Sequence, residues 1–86
     1  MNFAKLIRRR RLLQQTTLRW VCQRARLSTS YLSDVEHGRR KCPPETAVRI
    51  AGALKLSPCE ALTVLLQDGL EAAGVSGFVV NVEVKR

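Results

Sequence analysis

The chain has 86 residues, a formal net charge of +8 at pH 7 and a sequence pI of about 10.5. A chain of this length forms one small domain, which leaves little room to enclose a catalytic pocket. The excess of Lys and Arg indicates a polyanionic partner. Nucleic acid is the commonest such partner, although a membrane surface or an acidic protein would also fit the charge.

Several classes of protein fit this sequence poorly. It has one histidine, no Ser/His/Asp arrangement and no Gly-rich phosphate loop, so we expect no enzymatic activity and no cofactor. No apolar run approaches the ~18 residues of a membrane span, and no signal peptide precedes the arginines. We therefore expect a cytoplasmic protein without a membrane partner.

The three cysteines, Cys22, Cys42 and Cys59, are an odd number and lack C-x-x-C spacing. Reduced thiols in a reducing compartment are the simplest interpretation. A zinc site that combines Cys42, Cys59 and His37 is an alternative. Three scattered ligands favour it only weakly, and we expect no metal.

The first helix is predicted over residues 3–14, because apolar residues recur on one face there and nothing breaks the helix. That face carries Phe3, Leu6, Ile7 and Leu13. Four consecutive arginines, residues 8–11, lie within this helix, and Arg9 is expected to face solvent.

Two short helical patterns separated by a tight turn occupy residues 17–38. Thr17 and Ser28 are good N-cap residues, and Gly38 supplies the left-handed residue that commonly ends a helix. The apolar positions are Leu18, Val21, Cys22 and Ala25 in the first helix and Tyr31, Leu32 and Val35 in the second. A tight turn forces helices this short to cross steeply, which defines a helix-turn-helix unit.

The core and cap positions of this unit resemble those of the lambda-repressor-like (Cro and Xre type) helix-turn-helix family, over about residues 7–62. The matching residues are Leu18, Cys22, Leu27, Ser28, Tyr31, Leu32, Ser33, Val35, Glu36 and Gly38. The resemblance implies that residues 28–36 form a helix that lies in the major groove of DNA. It also implies an ion pair between Arg11 and Glu36, for which a planar guanidinium is well suited.

By resemblance, four side chains of this helix are predicted to contact bases. They are Thr29, Ser30, Ser33 and Asp34. Hydroxyls bond many base edges and an aspartate accepts from cytosine N4, so we expect weak direct readout, with DNA shape adding discrimination. The alternative is that the serines are ordinary surface residues.

Predicted contacts to the DNA backbone surround the same helix. They are Thr17, Ser28, Tyr31, His37, Arg39, Arg40 and Lys41. A helix N-terminus offers backbone N–H groups to a phosphate, and the basic loop after the helix is a candidate clamp. The alternative for the loop is that its charges only complement the dipole at the helix C-terminus.

Three residues of the unit depart from the family or from its apolar face. Arg26 takes the place of the turn glycine, so either a left-handed arginine costs about 1 kcal/mol or the turn is built differently. Cys22 stands where the family prefers alanine, and we expect a buried structural residue. Trp20 lies off the apolar face, where it could stack on the first helix or face a phosphate or a partner.

A fourth helix is predicted over residues 44–54, and a fifth begins at a capping box formed by Ser57 and Glu60 with proline between them. Apolar residues beyond the needs of a small core, Leu66 and Leu70, predict a dimer contact. After Gly74 the period changes to alternation. The alternating apolar residues are Phe78, Val80, Val82 and Val84.

This alternation predicts a strand, which must pair with another strand, and the matching strand of a second copy is our expectation. A disordered tail is the alternative. The sequence as a whole predicts an all-α, five-helix lambda-repressor-like domain over residues 1–73 and a dimerisation tail with a short β-strand over residues 74–86.

The predicted function is sequence-specific regulation of transcription by a repressor that binds a palindromic operator in double-stranded DNA as a homodimer. The alternative is a protein-interaction module, such as an antitoxin with a co-encoded protein partner, in which DNA binding is secondary. Phage, toxin–antitoxin and restriction-control contexts all stay open.

Overall fold

The computed structural model describes residues 2–74, and these residues form five α-helices. They are α1 (Phe3–Leu13), α2 (Leu18–Ala25), α3 (Thr29–Glu36), α4 (Pro44–Ala53) and α5 (Pro58–Ala72). The all-α, five-helix prediction is confirmed, whereas the strand predicted to begin at Phe78 falls outside the described residues. Within residues 2–74, no helix is both long enough and apolar enough to cross a membrane.

All five helices contribute to one core. Helix α4 packs against α2 and α5, α3 packs against α1 and α2, and α5 also contacts α1. The largest fully buried side chains are Ile7, Val21, Leu32, Val35, Ile50 and Leu54. Two of them, Leu32 and Val35, belong to α3, so this helix is anchored along one side and its other side faces outward.

The predicted apolar face of α1 is correct for three of its four residues. Phe3, Leu6 and Ile7 are buried, but Leu13 is 71% exposed. Leu13 aligns along the helix with Leu6, which lies at the rim of the core, rather than with the fully buried Ile7. The helix also ends at Leu13, one residue earlier than predicted.

Side-chain caps fix the starts of both helices in the helix-turn-helix unit. The Thr17 hydroxyl accepts the amide N–H of Trp20 at 3.0 Å, and the Ser28 hydroxyl accepts that of Tyr31 at 3.1 Å. Both predicted N-caps are confirmed. Each satisfies one of the amides that a helix N-terminus leaves without an intrahelical partner.

The fifth helix begins without the predicted capping box. Ser57 precedes it in an extended conformation, but the Ser57 side chain makes no capping hydrogen bond. Pro58 occupies the first helical position, where its fixed φ suits the helix and its missing N–H costs nothing. The capping box predicted for Ser57 and Glu60 is therefore wrong, and proline accounts for the start of α5.

Helices α1 to α4 all end in the same way, with one residue in the left-handed conformation. These residues are Gln15, Arg26, Gly38 and Lys55, with φ between 55° and 72°. In each case the next amide donates to a carbonyl five residues back at 2.8–3.1 Å, which is the Schellman arrangement. Of the four, only Gly38 adopts such a φ without steric strain, so each of the others costs about 1 kcal/mol.

Arg26→Gly is expected to raise the free energy of unfolding by about 0.5–1 kcal/mol, because glycine relieves more strain than it adds chain entropy. The Arg26 backbone, which donates to and accepts from its neighbours, is kept in this variant. Urea unfolding measures the change. Arg24→Gly is the control: it lies inside α2 and should lose about 1 kcal/mol. A loss of stability in Arg26→Gly would contradict the expectation.

Candidate nucleic-acid interface

The outward side of α3 carries the four residues predicted to contact bases. Thr29 and Ser30 are exposed, and Ser33 and Asp34 are half-buried. The helix is only eight residues long, so these side chains lie within about 12 Å along its axis. A partner that approaches this side can reach all four of them.

The N-termini of α2 and α3 carry two of the predicted phosphate contacts, Thr17 and Ser28. Both residues are exposed, but both hydroxyls already accept an amide of their own helix. What these helix ends offer a phosphate is therefore their other first-turn N–H groups and the partial positive charge of the helix dipole.

The loop between α3 and α4 brings its cations to the same side of the molecule as the outward side of α3. The exposed basic residues of the loop are His37, Arg39, Arg40 and Lys41. Nε of Arg39 donates to Oδ1 of Asp34 at 3.1 Å. The guanidinium carbon of Arg40 lies 5.1 Å from the centre of the half-buried Tyr31 ring. These two contacts place the loop beside α3, as a clamp on DNA requires.

The ion pair between Asp34 and Arg39 joins a predicted base contact to a predicted phosphate contact. The two side chains are 38% and 62% exposed, so the pair contributes only about 0–1 kcal/mol in water. Breaking this ion pair so that Arg39 binds a phosphate therefore costs little free energy. Sequence reasoning missed this pair, because residues five apart come together only after the chain turns at Gly38.

Arg11 and Glu36 form a nearly buried, bidentate ion pair between α1 and the end of α3. Nε of Arg11 donates to Oε2 of Glu36 at 2.8 Å, and Nη2 donates to Oε1 at 3.0 Å. Nη1 donates to the carbonyl of Thr16 at 3.0 Å. The two side chains are 14% and 3% exposed, and the bond to Glu36 raises the pKa of Arg11 above its ordinary value. The pair fixes the C-terminal end of α3.

Cys22 fixes the other end of α3 from within α2. The residue is 3% exposed, and its Sγ donates to the carbonyl of Ser28 at 3.4 Å. Burial, and to a lesser extent the charge of Glu36, raises the pKa of the Cys22 thiol, so the group stays protonated and remains a donor. The Cys22 carbonyl accepts the amide of Leu27 at 3.0 Å. The predicted structural role of this cysteine is confirmed.

Comparison with known proteins gives the same assignment as this geometry. Residues 2–63 match the family described as a helix-turn-helix domain. The chain belongs to this family. The structure is also similar to that of the clp gene regulator ClgR from Corynebacterium glutamicum, at 29% sequence identity and a TM-score of 0.67, covering 84% of this chain and 78% of that chain. No curated protein matches the sequence.

Trp20 lies in the first turn of α2, three residues after the cap Thr17. It is half-buried against the core, and the guanidinium carbon of Arg24 lies 4.3 Å from the centre of its ring. Both residues line an open groove of about 870 Å³ formed by α2, α4 and the turn after α1. None of the residues that line this groove belongs to α3 or to the basic loop, but the groove reaches Thr16, next to the predicted phosphate contact Thr17.

The cysteines of the helix-turn-helix domain are free thiols. Cys22 and Cys42 are buried, and burial raises the pKa of Cys42 as well. Cys59 is half-buried. Among residues 2–74, no group of three or more His, Cys, Asp or Glu side chains is arranged to hold a metal ion, so Cys42, Cys59 and His37 do not form the alternative zinc site.

Two of the residues predicted to form a dimer contact lie on the C-terminal half of α5. Leu66 is 46% exposed and Leu70 is half-buried. Leu66 borders a groove of about 440 Å³ that extends to Phe3 on α1 and to Arg40 in the basic loop. The exposed surface at Leu66 therefore begins next to the basic loop.

Proposed function

We propose that this chain is a regulator of transcription that binds double-stranded DNA sequence-specifically, with α3 in the major groove. The observation that carries the proposal is the position of the basic loop beside the outward side of α3, through the Arg39–Asp34 and Arg40–Tyr31 contacts. Membership of the helix-turn-helix family and the likeness to a gene regulator support DNA-binding transcriptional regulation.

Phosphate contacts supply most of the affinity in this proposal. Arg39, Arg40 and Lys41 neutralise the backbone on one flank of α3, and the N-terminal amides of α2 and α3 bind it on the other. Each neutralised phosphate releases condensed counterions, so the binding constant should fall steeply as the salt concentration rises.

Sequence discrimination comes from short side chains in the groove. Thr29, Ser30 and Ser33 donate to or accept from base edges, and Asp34 accepts from a cytosine N4 amine. This set lacks the bidentate arginine–guanine contact that gives the strongest readout, so sequence-dependent DNA shape carries part of the discrimination.

The regulator acts as a homodimer on a palindromic operator, and it represses by blocking access to the promoter. A two-fold axis would place two α3 helices in successive major grooves about 34 Å apart. In this arrangement α5 provides the contact through Leu66 and Leu70, together with the tail of residues 74–86.

Leu66→Glu is expected to convert the dimer to a monomer, because the substitution places a charge in a contact that is otherwise apolar. Sedimentation at about 10 µM measures the change, and DNA affinity should fall by on the order of a hundredfold as the second half-site contact is lost. Leu13→Glu is the matched control, since Leu13 is exposed on α1. An unchanged dimer in Leu66→Glu, or a monomeric native chain, would contradict this model of the contact.

A footprint on the DNA that flanks its own gene tests the proposed function. We expect a protected, partly palindromic segment whose affinity falls steeply between 50 and 200 mM salt, as phosphate-dominated binding does, by on the order of 10³-fold or more. A chain that gives no salt-sensitive specific complex but retains a co-encoded protein in a pull-down would instead be an interaction module.

A further inference from the structure

The angle between α2 and α3 depends on a turn of two residues, Arg26 and Leu27. Arg26 has φ 59° and ψ 51°, a conformation that an L side chain rarely adopts. Its amide and that of Leu27 both donate to the carbonyl of Cys22. Ser28 then starts α3. The orientation of the Arg26 peptide therefore sets the direction in which α3 leaves the turn.

A residue from outside the helix-turn-helix unit holds this peptide. Arg49 lies on α4, and its Nη2 donates to the carbonyl of Arg26 at 2.8 Å. Helix α4 packs mainly against α2 and α5. The bond from Arg49 therefore ties the turn to a helix that is itself fixed in the core, in addition to the bonds that Cys22 makes from α2.

We propose that Arg49 is a positioning residue for DNA recognition: by holding the Arg26 carbonyl it fixes the angle of α3 and thereby sharpens discrimination between DNA sequences. The inference rests on the proposed function. Base readout needs hydrogen bonds of defined length and direction, so a small rotation of α3 weakens contacts to bases while it leaves phosphate contacts almost intact.

Two features distinguish Arg49 from a core residue and from a phosphate-contacting residue. Arg49 is exposed, so its replacement leaves no cavity in the core. It also lines the groove formed by α2, α4 and the turn after α1, which contains no residue of α3 or of the basic loop. The bond to the Arg26 carbonyl is the contact through which Arg49 reaches the turn before α3.

The test compares Arg49→Gln and Arg49→Lys with Arg24→Gln. Arg24 lines the same groove, and its replacement removes the same charge without breaking the bond to the turn. Dissociation constants are measured for the footprinted duplex and for a scrambled duplex of equal length, at several salt concentrations. Thermal unfolding followed by circular dichroism reports whether each variant is folded.

The specificity ratio is the dissociation constant for the scrambled duplex divided by that for the footprinted duplex. Arg49→Gln is expected to reduce this ratio by about tenfold, which is the effect of weakening one base contact. The dissociation constants of Arg49→Gln and Arg24→Gln for the scrambled duplex should differ by less than about threefold. The salt slopes of the two variants should be equal. Arg24→Gln should keep the native ratio. Arg49→Lys keeps a donor that can reach a carbonyl, so it should restore part of the ratio.

Three outcomes would overturn the inference. Arg49→Gln could keep the native ratio, Arg24→Gln could lose as much of it, or Arg49→Gln alone could flatten the salt slope, as a phosphate contact would. Failure of the proposed function is a separate result, because the native chain itself would then bind both duplexes equally. If Arg49→Gln does not fold, Arg49→Met takes its place in the test, because its side chain cannot donate to the Arg26 carbonyl. A native ratio of dissociation constants in Arg49→Met would then overturn the inference.

Discussion

Arg11→Ala should destabilise the protein by about 3–5 kcal/mol, the cost of removing one partner of a buried ion pair. The variant removes both charge-assisted hydrogen bonds of the Glu36 carboxylate, whose side chain is 3% exposed in the native structure, and it also frees the Thr16 carbonyl. A domain of this size has about 5–15 kcal/mol of stability, so this loss brings it close to unfolding. Urea or thermal unfolding measures the effect.

Arg9→Ala provides the control for this prediction. Arg9 is exposed on the same helix and carries the same charge, so its replacement should change stability by about 0.5 kcal/mol or less. Glu36→Gln separates charge from shape: an amide of equal size leaves the guanidinium unpaired and should still lose a large part of the stability. Equal unfolding midpoints for Arg11→Ala and Arg9→Ala would show that the pair does not hold α3.

Replacing Arg39, Arg40 and Lys41 together with glutamine should weaken DNA binding on the order of a hundredfold at about 0.1 M salt. Each lost phosphate contact should also lower the salt slope by about one unit, so the slope should fall by about three for each protomer bound, or about six for the proposed dimer. The three replaced side chains are exposed and lie outside the core, so the fold should be kept. Titrations at four salt concentrations give both quantities.

The matched control for the loop variant removes the same three charges from α1, by changing Lys5, Arg8 and Arg9 to glutamine. These residues are exposed and line a different groove, together with Leu12 and Leu13. Net charge is then equal in the two triple variants. If both lose affinity and slope to the same extent, binding depends on overall charge and the loop is not a clamp.

Local signals in the sequence were sufficient to predict where α3 begins and ends. Ser28 caps α3 and Gly38 turns the chain after it, because a hydroxyl cap and a left-handed glycine act on amides within a few residues. The same locality explains why Thr17 could be recognised as the cap of α2. The orientation of α3 was predictable as well, since its apolar side is determined by its own periodicity.

Local signals were misleading where a tertiary contact or a neighbouring residue decides the structure. Leu13 fits the helical period but is 71% exposed, and Ser57 fits a capping box that Pro58 makes unnecessary. Gln15 and Lys55 adopt left-handed conformations that their residue types disfavour. The amides that follow them, of Thr16 and Leu56, donate to carbonyls of the preceding helices at 3.1 and 2.8 Å, and single-residue preferences do not predict these bonds.

The sequence predicted which residues belong to the candidate site, but not the hydrogen bonds and ion pairs that join them. The exposed residues of α3 and of the basic loop follow from helical periodicity and from the family resemblance. The ion pair of Asp34 with Arg39 and the bond from Arg49 to the Arg26 carbonyl do not, because they join residues whose proximity depends on a turn or on the packing of α4.

Selection of binding sites from a random pool of duplexes, by the native chain and by Thr29→Ala and Asp34→Ala, tests most directly whether α3 reads DNA. These residues lie at opposite ends of the exposed side of α3, so each variant should lose preference at a different base pair of the half-site. Glu45→Ala, which removes an exposed carboxylate on α4, should reproduce the native consensus. If all three variants select the native consensus, α3 does not lie against the bases and the account of this interface is wrong.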